Sequence, residues 1–281
     1  MAFDLFILDF DGTFTDVEAE GGPFVTAYRE DVARLLGVDV TRDWKRAEAK
    51  VREAPERFGW TFDGHVVAPG NADPYLRATV IMNMVFDARG LYADPEERTR
   101  VLQRLYFDNY EKSAIVFRPE AKAVVEALVA SGKPVAVVTN SATEAVARKL
   151  DDLAPAGREK LTVEGNAEKY LVAEANPSDA CFDGLPTEAH ADGLPRPIYL
   201  RRGRYYDVLR RLWSEHGTGP ERTLVVGDIY ELDLAMPAAL GCAAHLITGP
   251  DTAEYERAAM RALPRGGFSN GLGAALERAG V

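Results

Sequence analysis

Leu5-Phe6-Ile7-Leu8-Asp9-Phe10-Asp11-Gly12-Thr13 is the stretch whose reading decides the fold. A short, wholly apolar run that stops abruptly at polar residues reads as a strand buried on both faces, as in a parallel sheet. In open α/β sheets ligands bind beyond the carboxyl ends of the strands, so Asp9 and Asp11 are aimed at a site. Two acids so close repel each other unless a cation lies between or beside them. A hard divalent ion such as Mg²⁺, which takes oxygen ligands, meets that need. Taken alone, the same residues also suit an acidic turn relaxed by Gly12.

Working outward, apolar runs of the same kind recur at Pro134–Val138, Thr223–Val226 and Ala243–Thr248, with a weaker one at Leu161–Val163. Helical patterns at Glu120–Ser131, Thr143–Leu150, Arg204–His216, Glu231–Leu240 and Thr252–Ala262 alternate with them. Strands alternating with helices predict a Rossmann-like α/β core, a parallel sheet flanked by helices. Between the first strand and the second, residues 17–116 read differently, with candidate helices at Val25–Leu36, Arg42–Arg57, Pro74–Arg89 and Pro95–Ser113 and no strand. Asp73-Pro74 and Asp94-Pro95 are start signals, each an N-cap acceptor followed by proline at the first helical position. The expected organisation is a core of residues 1–16 plus 117–281 and an inserted, mostly helical domain of residues 17–116, with Asp16–Gly22 as the hinge.

Two later strand ends carry chemistry of their own. Thr223-Leu224-Val225-Val226-Gly227-Asp228 delivers a second carboxylate, and Asp233 follows five residues on, either as a further metal ligand or as a helix cap. Val135-Ala136-Val137-Val138-Thr139-Asn140-Ser141 ends in a hydroxyl and an amide ahead of a helix, a place suited to anionic oxygens. It is also a good capping run.

In this order the three segments resemble the haloacid dehalogenase superfamily. Asp9, Asp11 and Thr13 match its first motif, Thr139 with Asn140 its second, and Gly227, Asp228 and Asp233 its Gly-Asp-x-x-x-x-Asp motif. The resemblance implies a Mg²⁺-dependent phosphatase acting on a small phosphorylated metabolite. Asp9 would be the nucleophile that becomes an aspartyl-phosphate, and Asp11 the general acid and base. Mg²⁺ would be held by Asp9, the backbone carbonyl of Asp11, Asp228 and Asp233. Thr139 would bond the transferring phosphoryl group, with Thr13 and Asn140 as further substrate contacts. The family's third motif is a lysine. Lys169, after the 161–163 run, is taken for it, with Arg202 in Arg201-Arg202-Gly203-Arg204 as the alternative cation and a substrate contact. Dehalogenases lack the second aspartate, so Asp11 favours phosphoryl transfer. A phosphomutase, a phosphonatase-like enzyme using Lys45 or Lys50, and a non-catalytic binding protein of the same fold are the rival readings.

The insert resembles the family's helical cap of the first type, which closes over the site and supplies specificity. Tyr28, Arg29, Trp44, Lys45, Arg52, Trp60, His65 and Arg77 are its candidate contacts, most of them equally suited to a helix surface or to the insert's own core. With 33 basic and 44 acidic residues and a net charge of −11, the chain lacks the basic excess of a nucleic-acid or anionic-membrane binder. Its two cysteines show no metal-ligand spacing, and a cytoplasmic setting is expected.

Overall fold

The computed structural model describes residues 3–110 and 112–281. Its strands are β1 (Leu5–Leu8), β2 (Gly59–Phe62), β3 (His65–Pro69), β4 (Val135–Val138), β5 (Leu161–Glu164), β6 (Glu188–Ala189), β7 (Ile198–Tyr199), β8 (Thr223–Gly227), β9 (Ala243–Ile247) and β10 (Gly266–Ser269). Six of them form one parallel sheet in the order β10-β9-β8-β1-β4-β5. β1 is central, with Leu8 opposite Val137 on one side and Val226 on the other.

Side chains alternate across a strand, so both faces of this sheet must be covered. Leu5, Ile7, Ala136, Val138, Val225 and Leu246 pack to one side with Tyr205, Leu209 and Met236. Phe6, Leu8, Val135, Val137, Val226 and Ile247 pack to the other with Val124, Leu128 and Val146. The apolar runs of the sequence are therefore continuous because neither face meets water. β10 is different: Gly266-Gly267-Phe268-Ser269 is a half-exposed edge with no apolar run, and it escaped the sequence reading.

The described residues fall into two compact units, one of residues 3–16, 61–68 and 117–281 and the other of residues 17–60, 69–110 and 112–116. In the first, Thr15 bridges Phe117, and the Arg118 N–H donates to the Phe14 carbonyl at 2.9 Å. The chain thus leaves and re-enters this unit at adjacent points.

The second unit is built from helices Val17–Leu36, Thr41–Glu53, Pro74–Arg89 and Pro95–Tyr110 around Phe24, Tyr28, Trp44, Val51, Ile81 and Phe86. Asp73 caps its helix by accepting from the Leu76 N–H at 2.7 Å, and Gly90 ends it with φ +64°. The stretch expected as a hinge is instead the first part of a helix. Gly21 serves packing there, since a Cβ at that position would lie 2.2 Å from Pro74 Cγ. Tyr28 and Trp44 belong to the core, and Arg77 is buried in a two-bond pair with Glu18 at 2.8 and 2.9 Å.

Residues 61–68, expected within the helical insert, instead belong to the first unit and form the tip of the β2–β3 hairpin. The signal for it is Asp63-Gly64, with φ of +46° and +77°, the two-residue turn that suits hairpin twist. Phe62 packs on Tyr170 with ring centroids 4.7 Å apart, and His65 on Tyr199 at 4.6 Å. No helix among the described residues is long and apolar enough to cross a membrane.

His245 on β9 is buried, with Nε2 2.8 Å from the Ser269 hydroxyl. That hydroxyl donates to the Gly271 carbonyl, so it accepts from the imidazole. Burial, aided by Arg278, pushes His245 down from the ordinary 6.5 to about 4. The unfolded chain therefore takes up the proton first, and folding stability falls as the pH drops from about 6.5 toward about 4. Urea titrations across this range should show that loss in the wild type and a flatter profile in His245→Gln; equal slopes would contradict it.

Candidate active site

The site is made where β1, β4 and β8 end, together with the loop that follows β5. Asp9 takes the first position after β1, its N–H donating to the Val226 carbonyl at 2.8 Å. The chain then turns, with the Phe10 carbonyl accepting from the N–H groups of Thr13 and Phe14. Gly12 is required here: its φ is +80°, and a Cβ would lie 2.0 Å from Asp228 Oδ2. Its carbonyl accepts from the Arg118 guanidinium at 2.7 and 3.2 Å.

Asp9, Asp228 and Asp233 each present a carboxylate oxygen within 4.8 Å of the others, with Asp9 and Asp233 buried. Lys169 enters this group from the β5 side. Its ammonium donates to Asp9 Oδ1 at 2.7 Å and to Asp233 Oδ1 at 2.8 Å, and it is 1% exposed. Burial pushes the Asp9 carboxyl up, Lys169 pulls it down, and Asp233 pushes it up again, leaving it raised to about 8. Burial works against the Lys169 ammonium, but Asp233 and Asp9 outweigh it and hold the group above its ordinary range. Three carboxyl groups share one ammonium in a partly desolvated cluster, so further positive charge there would favour the ionised form of Asp9. An all-oxygen donor set of this kind fits a hard divalent cation such as Mg²⁺.

Asp233 does not cap the following helix as the alternative reading had it, but lies within the turn Tyr230–Leu234, where its Oδ2 accepts from the Ile229 N–H at 3.0 Å. Gly227 permits this close approach, since a Cβ there would stand 2.4 Å from Asp233 Cβ.

Asp11 faces another set of partners. Its Oδ2 accepts from the Ser141 hydroxyl at 2.6 Å and lies 3.5 Å from Thr139 Oγ1, and its Oδ1 accepts from Lys149 at 3.1 Å. Lys149 also lies 5.4 Å from the Phe10 ring centroid. Ser141 and Lys149 were not among the expected site residues. Ser141 stood in view beside Asn140; Lys149, on the helix Thr143–Leu153, carries no local signal.

Three expected substrate contacts are placed otherwise. Thr13 is fully buried, its hydroxyl 3.5 Å from Asp9 Oδ2, so it borders the Asp9 carboxylate. Asn140 Oδ1 accepts from the backbone N–H of Lys169 at 2.7 Å, so it anchors the lysine's main chain. Arg202 is fully buried, and its guanidinium donates to the backbone carbonyls of Lys169, Tyr199 and Val67. Burial pulls it down to about 10 against the opposing charges of Glu231 and Asp233. It is a cross-brace within the fold, and Lys169 is the cation at the carboxylates.

Replacing Lys169 by Met leaves Asp9 and Asp233 facing each other without their shared cation. The expected loss is about 3–5 kcal/mol of folding stability in urea unfolding; a loss under about 1 kcal/mol would show that the ammonium does not hold the cluster together.

The sequence over residues 3–241 matches the family model of the haloacid dehalogenase-like hydrolases. No protein of curated function matches it. Among solved structures, a protein from Haemophilus somnus 129PT predicted to be a phosphoglycolate phosphatase superposes with a TM-score of 0.52 at 17% identity, covering 98% of this chain and 97% of its own. YfnB from Bacillus subtilis, assigned as a HAD hydrolase and bound to magnesium, gives 0.53 at 13% identity over the whole of both chains. A 2-haloacid dehalogenase from Pseudomonas syringae pv. tomato gives 0.45 at 15% identity, covering 100% of this chain and 99% of its own.

Proposed function

Within the haloacid dehalogenase-like hydrolases, the family to which this chain belongs, we propose that it is a phosphatase acting on a small phosphorylated metabolite through an aspartyl-phosphate on Asp9. The observation that carries this reading is Asp11, a second carboxylate two residues beyond Asp9, anchored by Ser141 and Lys149. Expulsion of an alkoxide calls for a proton donor at the leaving oxygen, whereas expulsion of a halide does not.

Asp9, Asp228 and Asp233 would hold Mg²⁺, whose charge would offset that of the phosphoryl oxygens. A carboxylate oxygen of Asp9 attacks phosphorus, and the bond to the leaving oxygen breaks as Asp11 gives that oxygen its proton. Asp11, now a carboxylate, then takes a proton from the water that attacks the aspartyl-phosphate, releasing inorganic phosphate and restoring Asp9. Lys169 favours the ionised form of Asp9 against burial and orients the carboxylate, and Thr139 lies at the strand end where a phosphoryl oxygen would accept its hydroxyl. Asp11 must move off Lys149 or share it during the proton transfer, since Lys149 donates to its Oδ1. The helical unit takes the part of the cap. The acidic chain supports a small-molecule partner over nucleic acid or membrane, and two unpaired cysteines support a cytoplasmic setting.

Turnover of p-nitrophenyl phosphate and a panel of phosphoesters, with Mg²⁺ and after chelation, tests the proposal. Wild type should release phosphate in a Mg²⁺-dependent way, and Asp9→Asn should lose at least about a thousandfold in rate. Halide release from a 2-haloacid without phosphatase activity would replace this reading by dehalogenation. Asp11→Asn should lower kcat about a hundredfold to ten-thousandfold; an unchanged kcat would remove its role as acid and base.

A further inference from the structure

Burying a guanidinium is costly, and Arg202 meets that cost with neutral partners instead of a carboxylate. Nε donates to the Tyr199 carbonyl at 3.0 Å, Nη1 to the Lys169 carbonyl at 2.5 Å and Nη2 to the Val67 carbonyl at 3.1 Å. Val67 stands 135 positions away in sequence, on the β2–β3 hairpin. Two remote pieces of chain therefore meet Arg202's own segment on one planar cation.

The hairpin touches the same two pieces a second time. Phe62 packs on Tyr170, the neighbour of Lys169, and His65 on Tyr199. On its other side Lys169 is held by Asn140, and Gly203 donates to the Ala173 carbonyl at 2.8 Å, closing the segment against Arg202. A Cβ on Gly203 would lie 2.3 Å from the Glu174 carbonyl oxygen, so these strands of chain lie in close contact.

The segment needs such outside support. Asn166 and Glu168, just before Lys169, have φ of +53° and +47°. For side-chain-bearing residues this region is disfavoured and persists where surrounding structure imposes it. The imposed conformation is what sends Lys169 inward to Asp9 and Asp233.

We propose that Arg202 and the hairpin residues Phe62 and His65 form one positioning device, which fixes the Lys169 segment and thereby the ammonium shared by Asp9 and Asp233. Displacing the hairpin withdraws the Val67 carbonyl from Arg202 and the Phe62 ring from Tyr170. The lysine then loses its set. The kinetic consequence rests on the phosphatase reading; the geometric one does not.

The test uses the full chain, labelled with ¹⁵N-lysine so that the Lys169 ammonium is observed by NMR and assigned by its absence in Lys169→Met. Arg202→Gln and the double variant Phe62→Ala/His65→Ala are compared with wild type, with near-UV circular dichroism recording the fold. In both, the ammonium resonance should shift or broaden while the circular dichroism is retained. With p-nitrophenyl phosphate, kcat should fall about tenfold or more in Arg202→Gln, since a displacement near 1 Å suffices for such losses. The fall should be smaller in the hairpin variant, and KM should stay within about twofold. Arg202→Lys, which keeps the charge, should recover part of the loss.

An ammonium resonance unmoved in the hairpin variant would overturn the proposal, as would a kcat that falls no further than the folded fraction. Should Arg202→Gln not fold, the hairpin variant decides alone. A wild type that hydrolyses no phosphoester would sink the phosphatase reading and leave the NMR comparison to decide the positioning role.

Discussion

The ammonium of Lys169 lies between the carboxylates of Asp9 and Asp233, out of contact with water, and much of the site is arranged to keep it there. Without it, like charges this close would push the Asp9 carboxyl still further toward its protonated form. A lysine is suited to the task because its charge is compact and its stem flexible, provided the backbone delivers it from the correct direction. That proviso accounts for the Asn140 side chain, the two left-handed residues and the buried Arg202 around a single position. One lysine serves three carboxyl groups, and a divalent cation would supply the further positive charge that favours their ionised forms.

Much of the core was legible because its strands are wholly apolar and end in chemistry. Leu5–Leu8, Val135–Val138 and Thr223–Gly227 announce themselves by composition, and the residues just after them, Asp9, Thr139 and Asp228, sit where a parallel sheet brings strand ends together. Capping chemistry located the helix at Pro74 to the residue. β10 was hidden because an edge strand need not be apolar, and the β2–β3 hairpin because its turn signal was lost amid helical segments.

Within the site, the difficulty lay in polar residues whose partners are remote in sequence. Arg202 sits just before a helix in a basic run, and charge alone does not tell a phosphate ligand from a brace. The distinction is made by three carbonyls, two of them 33 and 135 positions away. Thr13 and Asn140 likewise have the right chemistry for substrate, yet spend it on Asp9 and on the Lys169 backbone. Lys149 reaches Asp11 from 138 positions away with no motif around it. Residue type in a motif therefore picked out side chains that the structure brings together, but not the partners each one takes.

The pairing of Thr15 with Phe117, beside the bond from Arg118 to Phe14, has a consequence for ancestry. From the sheet's standpoint the whole excursion between them is one closed loop whose two ends are already clasped. The entropy of closing a loop grows only with the logarithm of its length, about 0.6 kcal/mol for each doubling. A lineage could therefore lengthen, shorten or exchange what hangs from this clasp with little thermodynamic penalty to the sheet. In this chain one piece of that excursion, the tip of the hairpin, is bound back into the sheet's own unit, and at that point the freedom ends.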